Sequence, residues 1–287
     1  MIGFLGARAT PGVELVEGGR YWRTLAVGEA RGTMGVAFAD GEMSIDVSRS
    51  LVPVSGAVLN AVRDVFDLDA DIELVESVLR VDPVLARSIG KRPGLRVPGS
   101  VNGFEIAIRA VLGQQVSVRG ASTLAGRLAD ATGEPLVSRS ETLLEGAPAA
   151  LTRLAATPEG IAEAGVDRIA ACGLPRARAA CIVGLAIAAA SGALGSLNPL
   201  ARANAERDVP EYFERLLALP GIGPWTAQYI AMRALRWSDA FPDGDLALRK
   251  AAGGITAAEL HRRATRWKPW RAYAAMHLWA SLSDGAT

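Results

Sequence analysis

A glycine-rich turn, followed by a helix and then an aspartate, is the most informative chemical pattern in the chain. The turn is Leu-Pro-Gly-Ile-Gly at residues 219–223, and residues 225–237 after it have helical spacing and no proline. Glycines on both sides of one apolar residue let the backbone turn sharply with positive φ, and no Cβ keeps an anion away from the amides. A helix N-terminus beside such a turn also favours a phosphate. The pattern predicts a phosphate-binding hairpin at Gly221 and Gly223.

Asp245 is the candidate carboxylate, sixteen residues after Tyr229. It directly precedes an amphipathic stretch at residues 246–250, and aspartate is a favoured N-cap residue. A helix N-terminus also stabilises negative charge. A fixed anion suits cleavage of a glycosidic bond to a base, because positive charge grows on the sugar as the base leaves. From the residues alone we prefer capping, although the two roles are compatible. Asp243 is the nearest competitor, but its Pro-Asp-Gly context favours a turn.

The turn and Asp245 together resemble the signature of the helix-hairpin-helix DNA glycosylase superfamily. There, a Leu-Pro-Gly-x-Gly turn grips the DNA backbone and an aspartate follows at a fixed distance. The resemblance is specifically to the 3-methyladenine DNA glycosylase II family, and it covers nearly the whole chain through residues 3–9, 48–68, 92–99, 106–118, 266–271 and 277–279. It implies that Asp245 is catalytic. It also implies base excision repair, in which 3-methyladenine and related alkylated bases are flipped out of duplex DNA and excised.

Position 225 separates two kinds of reaction within the superfamily. Members that also nick the strand have, at the place of Trp225, a lysine that forms a Schiff base with the sugar. Tryptophan cannot be that nucleophile. Neither Lys250 nor Lys268 matches the family position. The resemblance therefore implies a monofunctional glycosylase without lyase activity, which uses water as the attacking group and leaves an abasic site.

Aromatic residues near the turn predict a slot for an extruded base. Trp225 and Tyr229 are four residues apart and share one helix face. The resemblance adds Trp279 and Phe4 as pocket aromatics, and stacking contributes ~1–3 kcal/mol per base. Core packing is the alternative for each aromatic residue taken singly. Further family pocket positions fall on Leu246 and its neighbour Ala247, where a better-known member has a larger aromatic residue and a leucine, so a wider pocket is expected.

Other DNA contacts follow from the resemblance. It assigns the DNA backbone contact to Gly221, Gly223 and Thr226. It also places Gln115, between two predicted helices, where the family inserts a wedge into the gap left by the flipped nucleotide; a surface helix cap is the alternative. The hairpin is expected to be able to hold a structural monovalent cation through backbone carbonyl oxygens, and no other cofactor is expected.

Length and composition favour a mainly helical protein with more than one core. The chain has 287 residues and is 50% hydrophobic, with only four Tyr and six Phe. We predict an α+β chain with a small antiparallel-sheet subdomain at residues 1–71 and a mainly α-helical body at 72–287. The resemblance adds that this body is a two-lobed helix-hairpin-helix glycosylase domain with the active cleft between its lobes.

Periodicity and turn residues predict the individual elements. Strands are predicted at 21–27, 32–39 and 42–47. Helices are predicted at 4–9, 54–66, 72–81, 83–88, 101–112, 117–132, 151–156, 158–164, 166–171, 175–192, 209–218, 224–235, 246–252, 257–267 and 273–282. Residues 91–99 are expected to be irregular and to form a subdomain crossing, and residues 138–148 to form a surface loop.

The sequence argues against a membrane-spanning protein and against a secreted one. The longest apolar run, 179–190, is shorter than the ~20 residues that a membrane span needs. No secretory signal is visible, so a cytoplasmic, nucleoid-associated protein of bacterial type is expected. The expected partner is duplex DNA with alkylated bases, bound by a monomer and without a membrane.

Metal binding by side chains is not expected. Cys172 and Cys181, nine residues apart, are the only two cysteines and cannot bind a [4Fe–4S] cluster, which needs four. We interpret them as buried reduced thiols. His261 and His277 are too few for a zinc site, and His277 is expected to bond within the core.

Charge is informative only through its distribution, since the net charge is +1. Residues 249–271 contain seven cations and the single acid Glu259, which predicts a basic face able to attract a phosphate backbone. Two other functions remain open: a non-catalytic helix-hairpin-helix DNA-binding module, and the carboxy-terminal part of an alkylation-response regulator. A module that only grips DNA would need neither Asp245 nor the aromatic set.

Overall fold

The computed structural model describes residues 1–137, 141–194 and 205–282. The chain divides into two compact units. The first comprises Met1–Val62, Phe104–Ser196 and Leu219–Gly221, and the second comprises Arg63–Gly103, Leu197–Ala218 and Ile222–Thr287. The boundary predicted after residue 71 stays a prediction.

A four-stranded antiparallel sheet lies in the first unit. Its strands are β1 (Glu14–Glu17), β2 (Arg20–Val27), β3 (Ala30–Ala39) and β4 (Glu42–Val47), and their spatial order follows the chain. Positive φ angles at Gly18, Gly19, Gly28 and Gly41 allow the tight connections. The three predicted strands are confirmed. The sequence did not predict β1, because four residues are too few to show an alternating pattern.

Side-chain bonds tie this sheet together and to a helix. The guanidinium of Arg20 crosses β3 at Gly35, which has no side chain in the way, and pairs with Asp46 on β4. Buried Arg23 donates to both carboxylate oxygens of Glu105 at 3.0 and 3.1 Å. Burial raises the pKa of Glu105, while the neighbouring guanidinium of Arg23 opposes that rise. The sheet is thereby anchored to the helix that carries Glu105.

Helices make up the rest of the regular structure and confirm the predicted α+β class. They are α1 (Ile2–Ala7), α2 (Ser55–Phe66), α3 (Ile72–Leu79), α4 (Pro83–Lys91), α5 (Gly103–Leu112), α6 (Val118–Thr132), α7 (Pro158–Ala170), α8 (Arg176–Ala190), α9 (Ala205–Leu217), α10 (Pro224–Arg233), α11 (Leu246–Ala251), α12 (Ala257–Ala264) and α13 (Arg271–Ser281). Short 3-10 helices occur at Arg49–Val54 and Thr265–Trp267. Helix α7 is interrupted at Gly165, whose φ is 69°, so the two separate helices predicted at 158–164 and 166–171 are supported.

The helix predicted at 151–156 is wrong. Its backbone groups bond to other segments: Thr152 N donates to Gly12 O, and Leu154 N donates to Glu134 O. Thr24 Oγ1 also donates to Arg153 O at 2.7 Å. These long-range bonds replace the local ones that a helix would need. The predicted loop at 138–148 is irregular over 141–148, and residues 138–140 lie outside the described part of the chain.

In the second unit, a buried aspartate links two helices. Asp67 pairs with Arg236, just after α10, at 2.8 Å, and it accepts a hydrogen bond from Tyr273 of α13, also at 2.8 Å. Its carboxylate also accepts a hydrogen bond from the amide of Val97, in the irregular segment that was predicted at 91–99. The bonds fix α10 and α13 relative to each other. None of the helices in the described part of the chain is both long and apolar enough to span a membrane.

Candidate active site

The hairpin turn uses its glycines for different purposes. Gly221 has φ +89°, and a Cβ there would lie 3.0 Å from both Cβ and Sγ of Cys181 on α8. Gly223 is the N-cap of α10 with φ −94° and ψ 174°, and a Cβ there would meet no atom within 4 Å. Positive φ was expected at both glycines, so the expectation is right for Gly221 and wrong for Gly223. Gly223 is compatible with any L-residue, and its bare Cα faces open space.

Helix α10 begins directly after the turn, as predicted. Pro224 occupies its first position, where a missing N–H costs no intrahelical bond. The first-turn amides therefore lie at a helix N-terminus, next to the exposed Gly223. The side chain of Thr226 is only 3% exposed. The predicted contact of Thr226 with DNA would therefore have to be made by its backbone.

Three aromatic rings of the second unit lie side by side. Trp225 and Tyr229 stack with ring centroids 5.5 Å apart and an interplanar angle of 15°. Tyr229 and Trp279 of α13 are 6.3 Å apart and tilted by 57°. All three rings are partly exposed, so they are not simply core residues. Their position leaves aromatic surface accessible to a ligand.

Asp245 lies against this aromatic cluster and also caps α11. Its Oδ1 accepts from Leu248 N at 2.9 Å, the N-cap bond that the sequence predicts. Oδ2 accepts from the indole nitrogen of Trp225 at 2.8 Å, and Oδ1 accepts from that of Trp279 at 3.2 Å. A carboxylate that only accepts hydrogen bonds satisfies all three donors. The two interpretations of Asp245, capping and chemistry, are therefore compatible in one geometry.

This arrangement is suited to stabilising positive charge next to a flat ring. The three donors fix both oxygens of Asp245, so the carboxylate does not have to reorient as charge develops on a reacting group. The neighbouring indole and phenol faces attract aromatic and cationic groups. Asp243 is engaged elsewhere, since its Oδ2 lies 2.7 Å from Nδ1 of exposed His261. That contact supports the choice of Asp245 over Asp243.

Sequence reasoning missed the partner of Tyr229. Arg233 is 3% exposed, and its Nη1 donates to the Tyr229 hydroxyl at 2.8 Å. The same guanidinium donates to the carbonyl oxygens of Pro98 and Gly99. Arg233 follows Tyr229 by four residues, and this spacing is the one signal that could have revealed the contact. The buried arginine holds the middle ring of the cluster in place.

Leu246 and Phe4 are the two other residues predicted to line the base pocket. Leu246 is the first residue of α11 and is 75% exposed. Phe4 lies on α1 in the first unit, where the guanidinium carbon of Arg8 is 3.7 Å from its ring centroid. Their predicted roles in binding a base stay predictions.

The predicted wedge, Gln115, lies in the short connection between α5 and α6. Its backbone is left-handed, with φ +57°, and its side chain is exposed. Val116 and Val118 beside it are 37% and 44% exposed. The side chain of the preceding residue, Gln114, donates through Nε2 to Gly221 O at 3.0 Å. Sequence reasoning did not single out that bond.

The predicted basic face is partly neutralised. Arg263 pairs with Asp82, with Nε donating at 2.7 Å, and Arg271 pairs with Asp239 at 2.6 Å. Arg249 donates to a backbone carbonyl at Ile255. The four other cations of this segment are exposed to solvent: Lys250, Arg262, Arg266 and Lys268. The surface that can attract phosphate is therefore smaller than the sequence indicates.

The remaining predictions concern cysteines, histidine and metals. Cys172 and Cys181 are buried and free, and buried His277 bonds to Ser88 through Nδ1 at 3.2 Å, as predicted. Within the described residues, no cluster of His, Cys, Asp and Glu could hold a metal ion. At the hairpin only backbone carbonyls are suited to a monovalent cation, and one of them, Gly221 O, already accepts the bond from Gln114. The cation stays a prediction.

Comparisons with known proteins find relatives that match nearly the whole chain. Residues 1–102 match the protein family described as the AlkA N-terminal domain. The chain is 37% identical over 281 residues to DNA-3-methyladenine glycosylase 2 of Escherichia coli, covering 97% of this chain and 92% of that protein. It is 39% identical over 290 residues to a probable bifunctional transcriptional activator/DNA repair enzyme AlkA of Mycobacterium tuberculosis, covering 98% of this chain but only 54% of that protein.

The fold has a solved counterpart. The 3-methyladenine DNA-glycosylase from Archaeoglobus fulgidus superposes with a TM-score of 0.80 at 21% identity, covering 99% of this chain and 94% of that one. The likeness identifies the helix-hairpin-helix glycosylase fold. The identity to the E. coli enzyme over nearly the full length of both proteins identifies the family. This chain belongs to the DNA-3-methyladenine glycosylase II family of helix-hairpin-helix DNA glycosylases.

Proposed function

We propose that this protein is a monofunctional glycosylase that removes alkylated bases, 3-methyladenine among them, from duplex DNA. The observation that carries the proposal is the carboxylate of Asp245, held by two indole N–H groups and a helix N-terminus beside three aromatic rings. Family membership supports the reaction class. A protein that only grips DNA would need no such carboxylate.

The reaction begins with an extruded nucleotide. A base cannot be reached inside the duplex, so it must leave the stack and enter a pocket, at a cost of a few kcal/mol. The faces of Trp225, Tyr229 and Trp279 offer stacking surface for it. A base alkylated at a ring nitrogen carries positive charge, which strengthens its attraction to the indole faces.

Bond breaking then follows from the position of Asp245. The bond between C1′ and the base nitrogen breaks, and its electron pair leaves with the base. Positive charge grows on the sugar, and the fixed carboxylate stabilises it. A water oxygen forms the new bond at C1′ and loses a proton to solvent, which leaves an abasic site and a free base. Trp225 has no amine to take the place of water, so the strand is not nicked.

Release of free bases from methylated DNA tests the proposal. The full chain is incubated with duplex DNA treated with a methylating agent, and the released bases are separated by chromatography and identified by mass. We expect 3-methyladenine among them, and no strand breaks until the abasic sites are cleaved by alkali. Asp245→Asn is the matched control, because asparagine keeps the shape and the helix cap. Release by this variant at the rate of the unmodified protein would contradict the proposal.

A further inference from the structure

The segment between α5 and α6, residues 113–117, is called the wedge loop here. We propose that Gln114 is a positioning residue that fixes the wedge loop on the hairpin turn, so that the grip on the DNA backbone sets where Gln115 enters the base stack. The inference rests on the proposed function, because it assigns a task to Gln114 within base extrusion.

The wedge loop is held at both ends and also in between. At its start, Gly113 N donates to Arg109 O at 2.9 Å, which continues the last turn of α5. At its end, Ser117 caps α6 through a bond from Gly120 N at 3.1 Å. Between these anchors, the Gln114 side chain reaches the hairpin, with Nε2 3.0 Å from Gly221 O. This last bond connects the loop to the turn.

The exposed residues of the loop are those suited to insertion. Gln115 lies in the left-handed region, which non-glycine residues rarely adopt and which therefore needs support from neighbouring bonds. Apolar Val116 and Val118 are also exposed next to it. Gln114 points the other way, towards the hairpin. The two consecutive glutamine side chains therefore point in different directions: Gln114 contacts the hairpin, and Gln115 is exposed to solvent.

The acceptor of this bond is itself fixed. Gly221 adopts φ +89°, and a Cβ there would lie only 3.0 Å from Cβ and Sγ of Cys181 on α8, so a side chain would be both strained and tightly packed. The direction of the Gly221 carbonyl is therefore set by α8 and by the turn. Gly223, the exposed glycine that begins α10, is two residues further along the same turn. The bond from Gln114 to Gly221 O therefore connects the wedge loop to the turn that ends at Gly223.

We expect removal of the Gln114 side-chain bond to impair base extrusion selectively. Without the Gln114 bond, the hairpin and Asp245 keep their own contacts, so duplex binding and bond cleavage remain. Extrusion of the base from the duplex becomes slower, because the wedge loop is no longer held at a fixed distance from the DNA backbone bound by the hairpin. The loss should therefore depend on how hard the base is to extrude.

Single-turnover base release from two DNA duplexes tests this. One carries 7-methylguanine paired with cytosine, and the other carries 7-methylguanine opposite a tetrahydrofuran abasic analogue, where no base pair has to be broken. Gln114→Met keeps a side chain of similar length but removes the donor. We expect its rate to fall about 5- to 10-fold on the paired lesion, the loss typical of one hydrogen bond, and less than about 2-fold on the unpaired lesion. Binding of undamaged duplex should stay within about 2-fold.

Gln115→Ala and the double variant identify the route by which Gln114 acts. If Gln114 works through the wedge, the double variant should be no slower on the paired lesion than Gln115→Ala alone. Circular dichroism and thermal unfolding establish that each variant folds. Equal losses on both duplexes, an unchanged rate, or fully additive effects would each overturn the inference. Failure of the unmodified protein to release 7-methylguanine from either duplex, together with failure to release any alkylated base from methylated DNA, would instead contradict the proposed function.

Discussion

The indole nitrogen of Trp225 lies 2.8 Å from Oδ2 of Asp245, while the ring of the same tryptophan stacks on Tyr229 at 5.5 Å. One side chain therefore both forms part of the aromatic surface and orients the carboxylate. A base that moved this ring would also move the hydrogen bond to Asp245. The position of the Trp225 ring and the orientation of the Asp245 carboxylate are thus coupled.

Asp245→Asn should lower the rate of base release by about 100- to 1000-fold, because the neutral amide cannot stabilise charge that develops on the sugar. DNA affinity should change little, since the carboxylate acts on the transition state. Asparagine is as good an N-cap as aspartate, so α11 should remain stable. Single-turnover release and fluorescence anisotropy measure the two quantities. Activity within a few-fold of the unmodified protein would remove Asp245 from the mechanism.

Trp225→Phe keeps an aromatic ring but removes the donor to Oδ2 of Asp245. A hydrogen bond to a charged group contributes roughly 1.5–3 kcal/mol, so we expect base release to slow by about 10- to 100-fold. Trp237→Phe is the matched control. Trp237 is half-buried and follows α10, and its substitution makes the same chemical change outside the aromatic cluster. If both variants slow release equally, the bond to Asp245 does not matter to the reaction.

Borohydride should trap no covalent complex between this protein and damaged duplex. A Schiff base needs an amine at the reacting carbon, and position 225 offers an indole instead. The reaction is run with borohydride present and analysed on a denaturing gel, with a strand-nicking glycosylase as the positive control. A trapped band that contains this protein would demonstrate lyase chemistry.

Gly223→Val should weaken binding to damaged and undamaged duplexes to the same extent. The residue has φ −94° and open space around it, so valine fits the backbone and its side chain enters only the region where a phosphate would lie. Gly56→Val makes the same change at an exposed glycine of α2 that also has open space around it, and it serves as the control. Anisotropy with and without an abasic-site analogue gives both affinities. A loss restricted to the damaged duplex would mean that the turn reads the lesion.

His277 should make the protein less stable in acid. Burial lowers its pKa from 6.5 to about 4, so between these values the unfolded chain binds a proton that the folded protein does not. The stabilisation is complete above pH 6.5 and is lost as the pH falls towards 4, by up to about 3 kcal/mol. Urea unfolding across this range should show a steeper pH dependence for the unmodified protein than for His277→Gln. Parallel curves would mean that His277 does not titrate as stated.

Local patterns in the sequence were enough for most helices, because apolar spacing and cap residues are local properties. Glu14–Glu17 was missed since it is too short to show a period. Residues 151–156 were predicted to be helical, but their backbone groups bond to Gly12 and Glu134, which are far away in sequence. A pattern within one segment cannot show where its backbone bonds will go.

The candidate site shows the same difference between local features, which the sequence predicts, and long-range contacts, which it does not. Capping by Asp245 follows from the residues next to it and was predicted. The indole donor from Trp279 comes from 34 residues further along, and packing of α13 against α11 brings it to the carboxylate. The bond from Gln114 to Gly221 spans 107 residues and left no trace in the pattern of either segment. Residue types indicated the chemistry, whereas tertiary structure determined the partners.

The acidic outer strand of the small sheet has a consequence for self-association. Along β4 the exposed positions are Glu42, Ser44 and Asp46. Two copies that paired their β4 strands about Ser44 would place Glu42 of each opposite Asp46 of the other, and like charges directly opposite destabilise a sheet. Arg20 pairs with Asp46 within its own sheet, which weakens this repulsion but leaves Glu42 of each copy facing a carboxylate. The edge therefore resists the strand addition from which β-aggregates grow.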